Sequence, residues 1–257
     1  MEKGLEGAGR VALITGAGGG IGSETAMAFA MRGYSVICAD IKLDSAARTV
    51  AQLREAGCEA LAAHADIADV QSVARLFSLI EHDYGRLDAA FNNAGVGVPP
   101  VELADCLDED WLHSINVNLT GTWYCLKAEI RMMLTQQGGG RIVNNGSVYA
   151  QRGGPNAPYT ASKHGIAGLT KSAAMTYAAR DIRVNAVCPG LIDSGMGASL
   201  IQHFQKRDAV APLISKTPVA RAGIAAEVAA AVIWLCSDDA RYVHGHMLAV
   251  DGGLAAV

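Results

Sequence analysis

Tyr159 and Lys163 stand four residues apart in PYTASKHGIAGLTKSAAMTYAA, a stretch with helical patterning, so both side chains belong to one helix face. A phenol and an ammonium at that spacing suit proton transfer. The phenol's reference pKa is about 10, and base catalysis near neutrality asks for a lowering of about three units, roughly 4 kcal/mol. One cation about 4 Å away, at an effective dielectric near 20, contributes about that much. Lys163 is therefore expected to lower the Tyr159 pKa, together with any further positive charge that binds beside it. Ser147 precedes Tyr159 by twelve residues, and its hydroxyl can hydrogen-bond an oxygen on which charge develops. Asn116 and Asn118 lie in NVNLTG within a helical pattern, where asparagine is unfavourable unless it has a special role.

A second cluster, Thr15-Gly16-Ala17-Gly18-Gly19-Gly20-Ile21-Gly22, follows the apolar run VALIT and opens a helical segment. Glycines there let the backbone turn tightly and approach a pyrophosphate, while the helix start offers free N–H groups and a positive dipole end. Strand, glycine turn and helix in that order suit a dinucleotide. The next apolar run ends in Asp40, eighteen residues past Gly22, where a carboxylate accepts hydrogen bonds from both adenosine ribose hydroxyls. A 2′-phosphate would meet that charge. Ile41 follows where a basic residue would help NADP, and Lys42 is the cation nearest to hand, so the expected cofactor is NAD.

These residues need a scaffold, and β-branched or apolar runs alternate with longer amphipathic ones to supply it. The runs are Val11 to Thr15, Ser35 to Asp40, Glu59 to Asp66, Leu87 to Gly95, Arg141 to Ser147, Ile182 to Gly190 and His246 to Val250. Helical segments between them open on the expected N-caps Asp44, Asp69 and Asp108. Strict alternation predicts an α/β fold: a doubly wound, Rossmann-type parallel sheet of seven strands with helices on both faces. Residues 1–257 form one domain without repeat or linker, and 191–218, weakly patterned between a strand and the last helix, are the expected substrate lid.

The segments TGAGGGIG, Asn92-Asn93-Ala94-Gly95, Ser147 and Tyr159-Thr160-Ala161-Ser162-Lys163 together resemble the short-chain dehydrogenase/reductase family. The likeness runs from Arg10 to Asp251-Gly252-Gly253. It implies reversible hydride transfer between NAD(H) and a carbinol carbon, which interconverts a secondary alcohol and its ketone. Tyr159 would move the hydroxyl proton and Ser147 would steady the oxygen. The resemblance also makes Asn118, rather than Asn116, the fourth catalytic residue, kinking its helix and fixing a water that relays protons to Lys163, which also holds the nicotinamide ribose. Around the cofactor it places Gly16, Gly20, Ile21 and Gly22 at the phosphates, and Asp66 and Ile67 at the adenine. Asn92, Asn93, Ala94 and Gly95 form the adenosine-side wall. Pro189, Gly190, Ile192 and Ser194 lie at the nicotinamide carboxamide, with Ser194 standing where threonine is usual.

The same placement assembles a substrate pocket from Val96, Val98, Tyr149, Leu191 and Met196, with Arg152 its one nearby cation. Gln202, His203 or Lys206 would enter only on lid closure. An apolar substrate, cyclic or bulky, is expected. Two other readings stay open: an NADPH-linked 3-oxoacyl-thioester reductase, and a non-catalytic NAD-binding protein on the same fold. The family likeness further implies a homotetramer through Trp111 to Leu134, Ala157 to Ala179 and the carboxyl-terminal strand.

Composition sets the outer bounds. With 51% hydrophobic and 18% charged residues, the chain can bury a sizeable core and is not of the disordered class. A formal net charge of −4 without any Lys or Arg run argues against a nucleic-acid surface. Neither a signal-peptide pattern nor an apolar stretch of about 20 residues is present, so a cytoplasmic chain without a membrane partner is expected. The six cysteines are scattered without CxxC spacing and are expected to be reduced core residues. His244 and His246 have no third ligand near them in sequence, so no metal is expected.

Overall fold

Successive side chains of a strand point to opposite faces, so a strand apolar at every position must be covered on both. Val11 and Leu13 on one face of the first run, and Ala12 and Ile14 on the other, are all buried. Fully burying one such Leu or Ile contributes roughly 1.5 to 3 kcal/mol, which favours a sheet sandwiched between helices. In the computed structural model, which describes residues 6–98, 101–205, 214–215 and 217–257, that is the arrangement found.

The strands are β1 Val11–Thr15, β2 Ser35–Asp40, β3 Ala60–His64, β4 Ala89–Asn92, β5 Gly140–Asn145, β6 Ile182–Pro189 and β7 Met247–Val250. They pair in parallel in the order β3-β2-β1-β4-β5-β6-β7. The helices are α1 Gly20–Ala30, α2 Leu43–Glu55, α3 Val70–Tyr84, α4 Asp108–Ser114, α5 Thr122–Met133, α6 Ala157–Tyr177, α7 Gly195–Gln205 and, last, α8 Ala225–Cys236. One core joins Phe29 of α1, Leu53 of α2 and Val232 of α8 to Ile14 and Phe91 of the sheet. The opposite core joins Ile80 of α3, Ile130 of α5 and Ala173 of α6 to Leu13 and Ile142. This is a Rossmann-type α/β single domain. Strand order reverses between β1 and β4, and the crevice beyond their carboxyl ends is where such sheets bind ligands.

Several expected boundaries move, each for a local reason. The third strand ends at His64, and Asp66 beyond it closes a tight turn by accepting from Ala68 N at 2.9 Å. The fourth begins at Ala89 rather than Leu87 and stops at Asn92, because Asn93 N leaves the ladder for Thr15 Oγ1 at 3.0 Å. The fifth stops at Asn145, and Ser147 instead caps a short 3₁₀ turn, Val148–Ala150, by accepting from Tyr149 N at 3.2 Å. Asp69 caps α3 as expected, accepting from Gln71 N at 2.9 Å. Asp44 and Asp108 do not cap: α2 and α4 start one residue and none before them, which puts both carboxylates inside the first turn. There they favour the helix dipole without filling a cap.

Of the cysteines, Cys38, Cys125, Cys188 and Cys236 are buried as expected, while Cys58 and Cys106 are only half-buried. Among the described residues no helix is long and apolar enough to cross a membrane, and no three or more His, Cys, Asp or Glu side chains converge as a metal site would require.

Candidate active site

The glycine turn is built between β1 and α1 and is tied down from two sides. Gly16 adopts φ 64°, and a Cβ there would lie 2.9 Å from Ala94 Cα; at Gly22 it would lie 2.2 Å from Gly16 O. Neither position has room for a side chain. Asn93 Nδ2 donates to Thr15 O at 3.0 Å and to Gly16 O at 3.1 Å, while Thr15 Oγ1 also accepts from Ala94 N at 3.1 Å. On the other flank Asp40 Oδ2 accepts from Gly18 N and Oδ1 from Lys42 N, both at 2.9 Å. Asp40 therefore shapes the turn as well as offering it charge.

Helix α6 carries the catalytic pair. It begins because Asn156 caps it, accepting from Tyr159 N at 3.0 Å, and because Pro158 sits in the first turn, where its missing N–H costs nothing. Its sheet-facing stripe, Ser162, Lys163, Ile166, Ala167, Thr170, Ala173 and Ala174, is buried. Lys163 is 4% exposed and donates from Nζ to Asn145 O at 2.7 Å. Tyr159 lies above it, with the ammonium 5.4 Å from the ring centroid, and the Tyr149 ring meets the Tyr159 ring edge-on at 6.4 Å. The Ser147 hydroxyl reaches the phenol.

The electrostatics differ from the sequence expectation. Burial pushes the Tyr159 phenol above its ordinary value, a hydrogen bond from Ser147 opposes that rise, and Lys163 is not among the groups that move it. Lys163 is itself pushed down to about 8 by burial. Desolvation outweighs the pair attraction because the ammonium addresses the ring face and the Asn145 carbonyl rather than the phenolic oxygen.

Asn118 sits in a π-helical stretch, Ile115–Gly121, between α4 and α5, where the helix widens locally. Its Oδ1 accepts from Val96 N at 2.7 Å and its Nδ2 donates to Val96 O at 2.9 Å, with Ser114 Oγ and Ser162 Oγ each at 3.3 Å. No hydrogen bond among the described residues joins its side chain to Lys163; it fixes the loop after β4 against α6. Asn156 Nδ2 fixes the same loop two residues on, at Val98 O. Sequence reasoning passed over Asn156, although an asparagine before Ala-Pro at a helix start is a cap signature. It also passed over Asn145, which links Lys163 to Asn93 through Nδ2, at 3.0 Å from Asn93 Oδ1.

The remaining expected residues gather near this crevice. Ile67 is buried against Gly121, and Asp66 is half-buried beside it in the turn beyond β3. Ile192 packs into the core and pairs with Gly223, while Pro189 is buried at the end of β6 and Gly190 lies against Asp251. Val96, Val98, Tyr149 and Leu191 are half-buried and belong to none of the hydrophobic clusters. Met196 of α7 is 49% exposed and reaches Gly97, where a Cβ would lie 2.8 Å from its Sδ. A cavity of about 490 Å³ opens alongside, lined by Val101, Glu102, Leu103, Gly154, Pro155 and Ala157. Arg152 is exposed and donates to Leu254 O at 2.6 Å, away from these walls. Gln202 is exposed on α7; the side chain of His203 and all of Lys206 lie outside the described residues.

A nicotinamide dinucleotide fits what is present. The first turn of α1 has no side-chain cap, which leaves N–H donors for phosphate. Ser194 Oγ is buried without a partner, 3.3 Å from where a Cβ on Gly20 would sit, as a carboxamide ligand should be. Residues 16–255 match the family model described as enoyl-(acyl carrier protein) reductase. The chain is a short-chain dehydrogenase/reductase.

This short-chain dehydrogenase/reductase is 41% identical to cis-4-hydroxycyclohexanecarboxylate dehydrogenase of Sinomonas cyclohexanicum, over 96% of this chain and 97% of that one. It is 38% identical to cyclohexanol dehydrogenase of Acinetobacter sp. (strain SE19), over 95% and 94%. The same identity relates it to a 3-oxoacyl-[acyl-carrier-protein] reductase of Synechocystis sp., over 95% and 96%. Its fold superposes on the crystal structure of levodione reductase with a TM-score of 0.93 at 34% identity, covering 97% and 99%. Family and fold together make it an oxidoreductase that works with a nicotinamide cofactor.

Proposed function

We propose that this enzyme interconverts an apolar, cyclic or bulky secondary alcohol and its ketone, with NAD(H) as cofactor. The observation that carries the substrate reading is the half-buried, uncharged set Val96, Val98, Tyr149 and Leu191, which the family placement sets around Ser147 and Tyr159 and of which Tyr149 meets the Tyr159 ring; Arg152, the cation expected near them, is exposed and bonded to Leu254 O. A carboxylate or phosphate on the substrate would lack the paired donors that usually recognise it. Two of the relatives named above act on cyclohexane rings, which agrees with this reading, although the substrate of one carries a carboxylate.

A bound nicotinamide dinucleotide supplies the hydride acceptor or donor and, when oxidised, a positive ring beside the phenol. The rest falls to this chain. Tyr159 Oη takes the proton of the substrate hydroxyl, or returns it to a ketone oxygen. Ser147 Oγ donates to that oxygen as charge grows on it, and Lys163 is placed to hold the nicotinamide ribose and restore the Tyr159 proton. Asn118 keeps Val96 in the wall, and a proton relay from it to Lys163 is part of the proposal. The segment 191–218, with Met196 against Gly97, is proposed as the lid.

The substrate reading is tested by kcat/KM for a neutral cyclic alcohol against a hydroxy acid of similar size. The neutral alcohol should win clearly, and preference for the acid would overturn the wall argument. A 3-oxoacyl thioester reduced with NADPH far better than either is oxidised would favour the second reading that the Synechocystis relative supports.

Assembly as a homotetramer is also proposed. Trp111 and Trp123 are about two-fifths exposed and Met175 is 83% exposed, all on segments expected to form subunit contacts. Light scattering at micromolar concentration should give four times the chain mass; a monomer would contradict it.

A further inference from the structure

The site leaves one buried titratable group without a task. Glu129 lies on the sheet-facing side of α5 and is fully buried. Asn92 Nδ2, at the end of β4, donates both to Glu129 Oε2 at 2.9 Å and to Asn144 Oδ1 of β5 at 3.0 Å. Asn144 Nδ2 in turn donates to Thr170 Oγ1 of α6 at 3.0 Å. The two oxygens this network does not use, Glu129 Oε1 and Asn92 Oδ1, are both buried without a partner. They belong to the same bonded pair of groups, and as written both are acceptors. One proton resolves both, because a carboxylic acid and a primary carboxamide close a ring in which N–H meets one carboxyl oxygen and O–H meets the amide oxygen.

We propose that Glu129 is held as a carboxylic acid whose Oε1–H donates to Asn92 Oδ1, and that it is a positioning residue for the cofactor end of the site. Among the described residues only the Asn92 amide acts to favour the anion, and no cation does. From β4, β5 and α6 the groups of this network are Asn92, Asn144 and Thr170, none of them charged, and the side of α3 that packs on α5 is apolar, with Val73, Leu76 and Ile80 buried. Cys125, one turn earlier on α5, is pushed well up by its own burial and stays a thiol. Burial likewise pushes Glu129 up to about 8. The consequence for the site runs through register. Asn92 and Asn144 are paired residues of the β4–β5 ladder. The next residues along the chain are Asn93, just past β4, which grips the glycine turn, and Asn145, which receives Lys163 and donates to Asn93 Oδ1. The acid–amide pair locks the last rung of the ladder and so sets where these two side chains hold the glycine turn and Lys163.

The test compares the full chain with Glu129→Gln, whose amide N–H replaces the acid O–H. An unfolded glutamic acid ionises above about pH 4.3 while the folded one keeps its proton until about 8, so its stabilisation is present at acid pH and is lost as pH rises through that window. Wild-type Tm should therefore fall relative to E129Q by on the order of ten degrees between about pH 5 and about pH 8, then run parallel to it. This melting measurement needs no cofactor or substrate, so its outcome is separate from the proposed reaction. NADH affinity, read by fluorescence, should weaken severalfold in wild type above about pH 8 and less in E129Q, since Lys163 titrates in both. An E129Q that fails to fold, or that melts below wild type by a constant margin at every pH, shows an ionised carboxylate and overturns the proposal. Identical pH profiles of NADH affinity overturn the positioning role.

Discussion

Tyr159→Phe is expected to lower kcat by at least about a hundredfold, the low end of typical acid–base contributions, while Tm and cofactor affinity stay near wild type. The separation follows from how the ring is held. Its edge-on contact with Tyr149 and its place over Lys163 use ring atoms that phenylalanine keeps. Only the hydroxyl is lost, with its hydrogen bond to Ser147. Burial holds the proton on that hydroxyl, and the hydrogen bond from Ser147 opposes this. The expected pattern is a loss in kcat with little change in the NADH dissociation constant, measured by steady-state rates and fluorescence titration. A variant keeping more than roughly a hundredth of wild-type kcat would move the proton-transfer role to another residue.

What was legible in the sequence was what depends on local pattern. Strands β1 and β2 are where the apolar runs put them, because a run buried on both faces needs no partner to be recognised. The glycine turn was likewise readable, since the spacing of its residues reflects one backbone conformation. Features set by distant partners were not. Arg183 sits in IRVNAVCPG, where an alternating strand would put it toward solvent, yet it is 2% exposed. Its guanidinium fastens the end of α8, donating to Leu235 O at 2.6 Å, Ser237 O at 2.8 Å and Ala240 O at 2.9 Å, all more than fifty residues away. Glu129 reads as an ordinary exposed helix residue for the same reason: nothing near it in sequence reveals Asn92. The burial that raises the Tyr159 phenol was not legible either, because four-residue spacing fixes a shared helix face but neither how deeply it is buried nor which atoms the ammonium meets.

Asp40 should decide the cofactor, and two substitutions separate the two things it does. Its oxygens accept from Gly18 N and Lys42 N, so part of its effect is geometric, holding the glycine turn in shape for any dinucleotide. The other part is charge, which acts only against a 2′-phosphate. One charge pair at about 4 Å is worth about 1 kcal/mol in water and about 4 kcal/mol at an effective dielectric of 20, or roughly fivefold to roughly a thousandfold. Asp40 is half-buried, between those limits, and exposed Lys42 meets it with a backbone N–H rather than with its ammonium. Asp40→Asn removes the charge and keeps one accepting oxygen, so the ratio of kcat/KM for NADP+ to that for NAD+ should rise within that range while NAD+ use falls little. Asp40→Ala removes both acceptors as well as the charge. Its ratio should rise similarly, but its kcat/KM for both cofactors should drop together as the Gly18 turn loses its anchor. Equal use of the two cofactors by the unmodified enzyme, or a ratio that Asp40→Asn leaves unchanged, would remove Asp40 from cofactor choice and leave it a turn-holding residue only.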